Sequence, residues 1–151
     1  DEPYMQARPE PARAYGLAAL KRATDGLPGT SAVHICSGYA AIIHDRPEGY
    51  SFLPELAQTQ CRQVSIETAQ SGLDLAVLES LPDKTIILGV LDLSTNEVET
   101  PETVAARIRR AFPYTTNLIA APDCGMKYLP RDVAYRKLEA LVEGARLSLG
   151  S

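Results

Sequence analysis

No stretch of this 151-residue chain is long enough to cross a bilayer. Its longest apolar run, Thr85-Ile-Ile-Leu-Gly-Val-Leu91, falls far short of the roughly 20 residues a spanning helix needs, so no membrane role is expected. There is no basic stripe and no block of like charge. Acids and bases are mixed throughout at a net charge of −4, which argues against nucleic acid as a partner. Three cysteines cannot complete a disulfide set, and their spacing is not that of a secreted framework. The opening Asp1-Glu2-Pro3 lacks the basic and apolar regions of a secretory leader, so a reducing, cytoplasmic setting is expected. Internal repeats and low-complexity linkers are missing too. With 45% hydrophobic and 23% charged residues, the composition is that of one ordinary globular unit.

What the chain does have is an alternation of short branched-residue runs with longer helical stretches. Strands are expected at Ala32–Cys36, Gln63–Thr68, Thr85–Asp92 and Asn117–Asp123, each rich in Val, Ile or Leu with little polar alternation. That is the pattern of parallel strands buried on both faces. Helices are expected near Pro11–Ala23, Phe52–Ala57, Asp74–Leu81, Pro101–Phe112 and Arg131–Leu147. The fourth has clear start chemistry, with Thr100 as cap, Pro101 in the first turn, and Val104, Ile108 and Ala111 on one apolar face. In the last, Ala134, Leu138, Leu141, Val142 and Ala145 recur at helical spacing. The order is βαβα, so the fold class is α/β, a parallel sheet with outer helices.

Chemistry-bearing residues fall at the C-terminal ends of these strands: His34 and Cys36, Glu67, Asp92, and Asp123 with Cys124. Barrels and open α/β sheets both build their sites at that edge. Four strands are half of an eight-stranded barrel, and Asp1-Glu2-Pro3 reads as the tail of a strand whose beginning is absent. Residues 1–151 are therefore expected to be a single partial domain.

His34 and Cys36 stand at i and i+2, on one face of a strand and roughly 6.6 Å apart along it. Two such side chains can share one tetrahedral ion, and Cys124 and Glu67 at other strand ends offer further ligands suited to zinc. Taken alone, His-x-Cys is weak, since a buried cysteine is often a small hydrophobe. Cys61, just before a strand in Gln60-Cys61-Arg62, has no partner pattern and reads as structural. His44, in the loop His44-Asp-Arg-Pro-Glu-Gly49, reads as solvent-exposed.

The segments Asp1-Glu-Pro3, His34-Ile-Cys36, Ser65-Ile-Glu-Thr68, Gly89-Val-Leu-Asp92 and Pro122-Asp-Cys-Gly-Met-Lys127 occur in this order. Together they resemble the catalytic C-terminal barrel of the cobalamin-independent methionine synthases, from the first residue to the last helix. Pro-Asp-Cys-Gly is the most specific part. The resemblance implies the C-terminal half of a (β/α)₈ TIM barrel, with the first half supplied by other polypeptide. It implies Zn²⁺ held by His34, Cys36, Glu67 and Cys124, with Asp1 receiving the amino group of homocysteine. The activity implied is that of a methyltetrahydropteroyltriglutamate–homocysteine methyltransferase. A free thiol is only a few per cent ionised at neutral pH, and zinc coordination deprotonates it, making the nucleophile that attacks the methyl group. Glu67 is the ligand expected to loosen when the substrate sulfur arrives.

Two departures from that family bear on the methyl donor. Where its members continue to a histidine that protonates the departing folate, this chain has Ser94, a poor acid at neutral pH. Where they carry a folate-contacting glutamate after Asp-Glu-Pro, it has Ala7. The thiol side is kept while the donor side is altered. The leading expectation is methyl transfer from methyltetrahydrofolate to homocysteine, forming methionine. The alternatives are a corrinoid-bound methyl donor or another thiol acceptor and, from a different class, a noncatalytic zinc-stabilised interaction module. Against the last, structural zinc usually sits in local Cys/His knuckles, not on separated strands.

Overall fold

Four short strands of branched residues form one parallel sheet in chain order, β1 (Ala32–Ile35), β2 (Gln63–Glu67), β3 (Thr85–Leu91) and β4 (Leu118–Pro122). The computed structural model describes residues 1–36, 50 and 53–150; His44 and Phe52 lie outside them. Each strand sits where its apolar run predicts, ending one residue short of the expected limit. Val64, Ile66, Ile86, Leu88 and Val90 are fully buried. At about 1.5–3 kcal/mol for each buried aliphatic side chain, the sheet interior is the main driving term. The register sets His34 opposite Ser65 and Glu67 opposite Gly89, bringing the strand ends level at one edge.

Helix α1 (Pro3–Ala7) leads into a longer helical run: α2 (Pro9–Pro11), a π-helical turn over Ala12–Gly16, and α3 (Leu17–Thr24). The π turn closes through Leu17 N to Ala12 O. Asp1 and Glu2 are not strand, yet the Glu2 N–H donates to the carbonyl of His34 at 2.9 Å, so the chain enters alongside β1. Helix α4 covers Leu53–Leu56. Leu75–Ser80 is a 3₁₀ helix where an α-helix over 74–81 was expected. Asp74 caps its start by accepting from Ala76 N at 3.0 Å, and Pro82 disfavours α conformation at Leu81, so the helix ends there.

Helix α5 (Pro101–Arg109) buries Val104 and Ile108 as its periodicity predicts, and Thr100 accepts from the Thr103 N–H at 3.2 Å. Helix α6 (Arg131–Ser148) meets expectation in part. Leu141 and Ala145 pack half-buried against the core, while Leu138 and Val142 stay exposed and the buried face is Val133, Lys137, Ala140, Gly144 and Ser148. Close approach to α5 turns the helix this way. A Cβ on Gly144 would lie 2.8 Å from the Pro101 carbonyl and collide with Val104, so a glycine is needed at the contact.

Lys137 is fully buried because its ammonium finds three oxygens: Asp92 O at 2.8 Å, Glu99 Oε2 at 2.9 Å, and the Glu97 carbonyl. Glu99 also accepts from Asp92 N at 2.7 Å and from Arg107 at 3.1 Å. Burial alone would raise the Glu99 pKa, but the Lys137 ammonium and the Asp92 N–H outweigh it and hold the carboxyl below its ordinary value. Its stabilising contribution is thus present above the unfolded carboxylate pKa and is lost as pH falls through the lowered folded value. Glu99→Gln should destabilise by about 3–5 kcal/mol, because it leaves Lys137 buried without its counter-charge. Urea unfolding at neutral and acid pH checks this. A variant as stable as the parent at neutral pH would show the network to be dispensable.

Candidate metal centre

The sheet gathers its chemistry at the C-terminal edge. His34 lies on β1 with Cys36 just beyond it, Glu67 is the last residue of β2, and Cys124 follows β4 by two residues. Each offers one ligand atom, and the four atoms lie within 4.8 Å of one another. The two sulfurs are 3.6 Å apart, close to the edge of roughly 3.8 Å that a tetrahedron with metal–sulfur bonds of about 2.3 Å requires. His34 presents a buried Nε2 that makes no hydrogen bond among the described residues. Glu67 is fully buried and Cys36 nearly so. Two soft sulfurs, an imidazole nitrogen and a carboxylate oxygen in this arrangement fit one metal ion.

Three side chains lace the strand ends together, and none drew notice in the sequence as a lacing group. The Tyr50 hydroxyl donates to Ile35 O at 3.1 Å and accepts from Glu67 N at 2.9 Å, joining β1 to β2. The Thr68 hydroxyl donates to Gly89 O at 2.6 Å, joining β2 to β3. The Asp123 carboxylate accepts from the N–H groups of Thr68, Ala69 and Gln70 at 3.3, 3.1 and 3.0 Å. It thereby ties the turn after Glu67 to the residue before Cys124. Such a reach over β3 needs Gly89. A Cβ there would stand 2.7 Å from Asp123 Cα and 2.9 Å from Ile66 O, and would overlap the Asp123 carboxylate. Pro-Asp-Cys-Gly and Gly-Val-Leu-Asp were legible as motifs, but their mutual fit was not.

Burial pushes the Asp123 carboxyl up to about 7; the Ala69 and Gln70 N–H groups oppose the shift and the Glu67 charge adds to it. Cys124 moves the other way, pulled down to about 4 by the Cys36 thiol and then the His34 imidazole, with the Gly125 N–H assisting against burial. A thiol in that setting is ionised at neutral pH, the form that ligates metal.

The remaining candidates are not among the four clustered ligands. Ser94 is exposed in the turn after β3, its N–H and hydroxyl both donating to Asp92 Oδ1 at 2.8 and 2.6 Å. Asp1 is exposed beside β1, at the rim of a cavity of about 750 Å³ that Tyr4, Met5, Tyr15 and Leu20 help to line. Cys61 is fully buried in the hydrophobic core. No helix among the described residues is long and apolar enough to cross a membrane.

Residues 32–147 match the family model described as "Cobalamin-independent synthase, Catalytic domain". Among curated proteins, a methionine synthase of Saccharolobus islandicus is 34% identical over 154 residues, covering 97% of this chain and 42% of the relative. A methionine synthase of Thermococcus kodakarensis is 31% identical with the same coverage. The chain thus spans less than half the length of these relatives. Among solved structures, a B12-independent methionine synthase from a Shewanella species, in complex with selenomethionine, aligns with a TM-score of 0.89 at 30% identity. The alignment covers 97% of this chain and 46% of that one. The four parallel strands and their helices are half of a (β/α)₈ barrel.

Proposed function

The chain belongs to the cobalamin-independent synthase catalytic-domain family, and from that premise we propose that it carries the zinc half of a methyltransferase that methylates homocysteine to methionine. The observation that carries this reading is the convergence of four ligand atoms from three strand ends within 4.8 Å. His34, Cys36, Glu67 and Cys124 would hold the ion, and their sulfur, nitrogen and carboxylate set suits zinc. Bound zinc supplies a Lewis acid that keeps a substrate thiol ionised at neutral pH.

The chain's own residues supply the rest. Asp1 receives the substrate ammonium; in support, its neighbour Glu2 is tied to the strand bearing His34. Tyr50, Thr68 and Asp123 keep the strand ends from drifting, so the ligand set is organised before substrate arrives. In the reaction the thiol gives up its proton and its sulfur takes the methyl. The donor departs with the electron pair of the broken bond. Residues 1–151 act as half a barrel completed by further polypeptide. Support comes from the outer edges of β1 and β4, which pair with no described strand, and from Ile119, Leu138 and Val142, which lie 43%, 41% and 50% exposed.

A second reading, in which the methyl comes from a corrinoid carrier, is favoured by Ser94. A nitrogen leaving group needs a proton, whereas reduced cobalt does not. Ser94 is a poor acid, and its hydroxyl is already committed to Asp92. General acid catalysis contributes about 10²–10⁴-fold, so methyltetrahydrofolate should be a slow donor for the completed, zinc-loaded enzyme. Ser94→His should raise folate turnover and leave methyl-corrinoid turnover little changed. Methyl transfer to homocysteine from each donor is the measurement. Fast folate turnover with none from methyl-corrinoid would end the corrinoid reading, and no transfer from any donor to any thiol would end the methyltransferase reading.

A further inference from the structure

The two nitrogens of His34 have different fates. Nδ1 lies 2.8 Å from Ser65 Oγ on the adjacent strand, while Nε2 is buried and makes no hydrogen bond among the described residues; the ring offers one nitrogen within 4.8 Å of the ligand atoms of Cys36, Glu67 and Cys124. The contact is dictated by register. His34 pairs with Ser65 across the β1–β2 ladder, so the two side chains share a face, and Glu67 at i+2 from Ser65 shares it too.

We propose that Ser65 is a positioning residue of the metal centre: with Nε2 given to the ion, its hydroxyl would accept the Nδ1 proton of His34 and hold the ring at the angle that faces the three other ligands. The inference rests on the metal-centre reading and adds to it a residue that ligates nothing. A neutral imidazole carries one proton, and the nitrogen that carries it cannot bind metal. In water the two tautomers interconvert freely. A metal on Nε2 leaves the proton on Nδ1, where Ser65 Oγ at 2.8 Å is placed to accept it and hold the ring at one angle. A histidine ligand whose second nitrogen is fixed in this way binds metal more tightly, and losing such a partner typically costs 10–100-fold in affinity.

Threonine at position 65 keeps the hydroxyl on the same strand face, and β-branched residues suit strands. Alanine removes it without disturbing the register. The first test needs no variant. In nitrogen-15 spectra of the zinc-loaded chain the His34 Nδ1–H should be hydrogen-bonded and slow to exchange, and a fast-exchanging Nδ1–H would overturn the proposal. In Ser65→Ala that proton should exchange faster, and zinc affinity, measured by chelator competition, should fall 10–100-fold. Ser65→Thr should restore both. A change of general stability alone would move the unfolding midpoint but not the exchange at Nδ1. If the parent chain binds zinc and Ser65→Ala binds it equally well with unchanged Nδ1–H exchange, the role given to Ser65 is wrong and the metal centre stands. If the parent binds no zinc, the metal-centre reading itself fails.

Discussion

Cys124→Ala and His34→Ala should each lower zinc affinity by more than about 100-fold, beyond the 10–100-fold that losing a mere supporting contact costs. The two residues reach the site from β1 and from the turn after β4, so neither can be replaced by a neighbour on its own strand. In cobalt-substituted protein, thiolate-to-metal absorption should be strong in the parent and clearly weaker in Cys124→Ala. Cys61→Ala is the control. Its sulfur is buried in the core away from the cluster, so its metal content and spectrum should match the parent. Ligation should also appear in stability. Zinc at 100 times its dissociation constant should stabilise the parent by about 2.7 kcal/mol, and Cys124→Ala at the same concentration hardly at all. Equal metal loss from the Cys61 variant would mean that the wrong sulfur has been assigned.

Gly89→Ala, the smallest substitution available, should be among the most damaging. Its new methyl would meet Asp123 Cα at 2.7 Å and Ile66 O at 2.9 Å, and would overlap the Asp123 carboxylate. None of these is the free end of a flexible chain. Two are backbone atoms, and the third belongs to a fully buried group holding three N–H donors. Overpacking of this kind costs typically 1–3 kcal/mol, and the rigid neighbours put Gly89→Ala at the upper end. Displacing Asp123 should also release the turn after Glu67, so zinc affinity should fall even though no ligand has changed. Gly16→Ala makes the contrast. Its methyl meets first the terminal carbon of Met5, at 3.2 Å, and a helical glycine replaced by alanine gains up to about 1 kcal/mol. Thermal unfolding and zinc titration of both variants are the measurements. A Gly89→Ala protein with the parent's midpoint and affinity would refute the close-packing argument.

Much of this protein follows from local pattern. Branched runs such as Thr85–Leu91 announce buried parallel strands, because a strand covered on both faces has no use for polar alternation. Thr100-Pro101 announces a helix start, because a cap oxygen and a fixed φ act within one turn. His34 and Cys36 were visible as a pair because i and i+2 share a strand face, and Glu67 and Cys124 because strand ends mark the site edge of α/β folds. Only the tertiary structure decided which faces and partners these residues took. The stripe through Leu138, Leu141, Val142 and Ala145 looks like the inner face of α6, yet Gly144 lets α5 come so close that the adjoining face through Lys137, Ala140 and Gly144 is buried and Leu138 and Val142 are left outside. Lys137 sits inside because two carbonyls and Glu99, distant in sequence, surround one ammonium. Ser65, Asp123 and Tyr50 support the ligands through contacts spanning 31, 55 and 17 residues. Local sequence sets periodicity and capping, whereas contacts at that separation exist only once strand order and register have been fixed by packing the whole sheet.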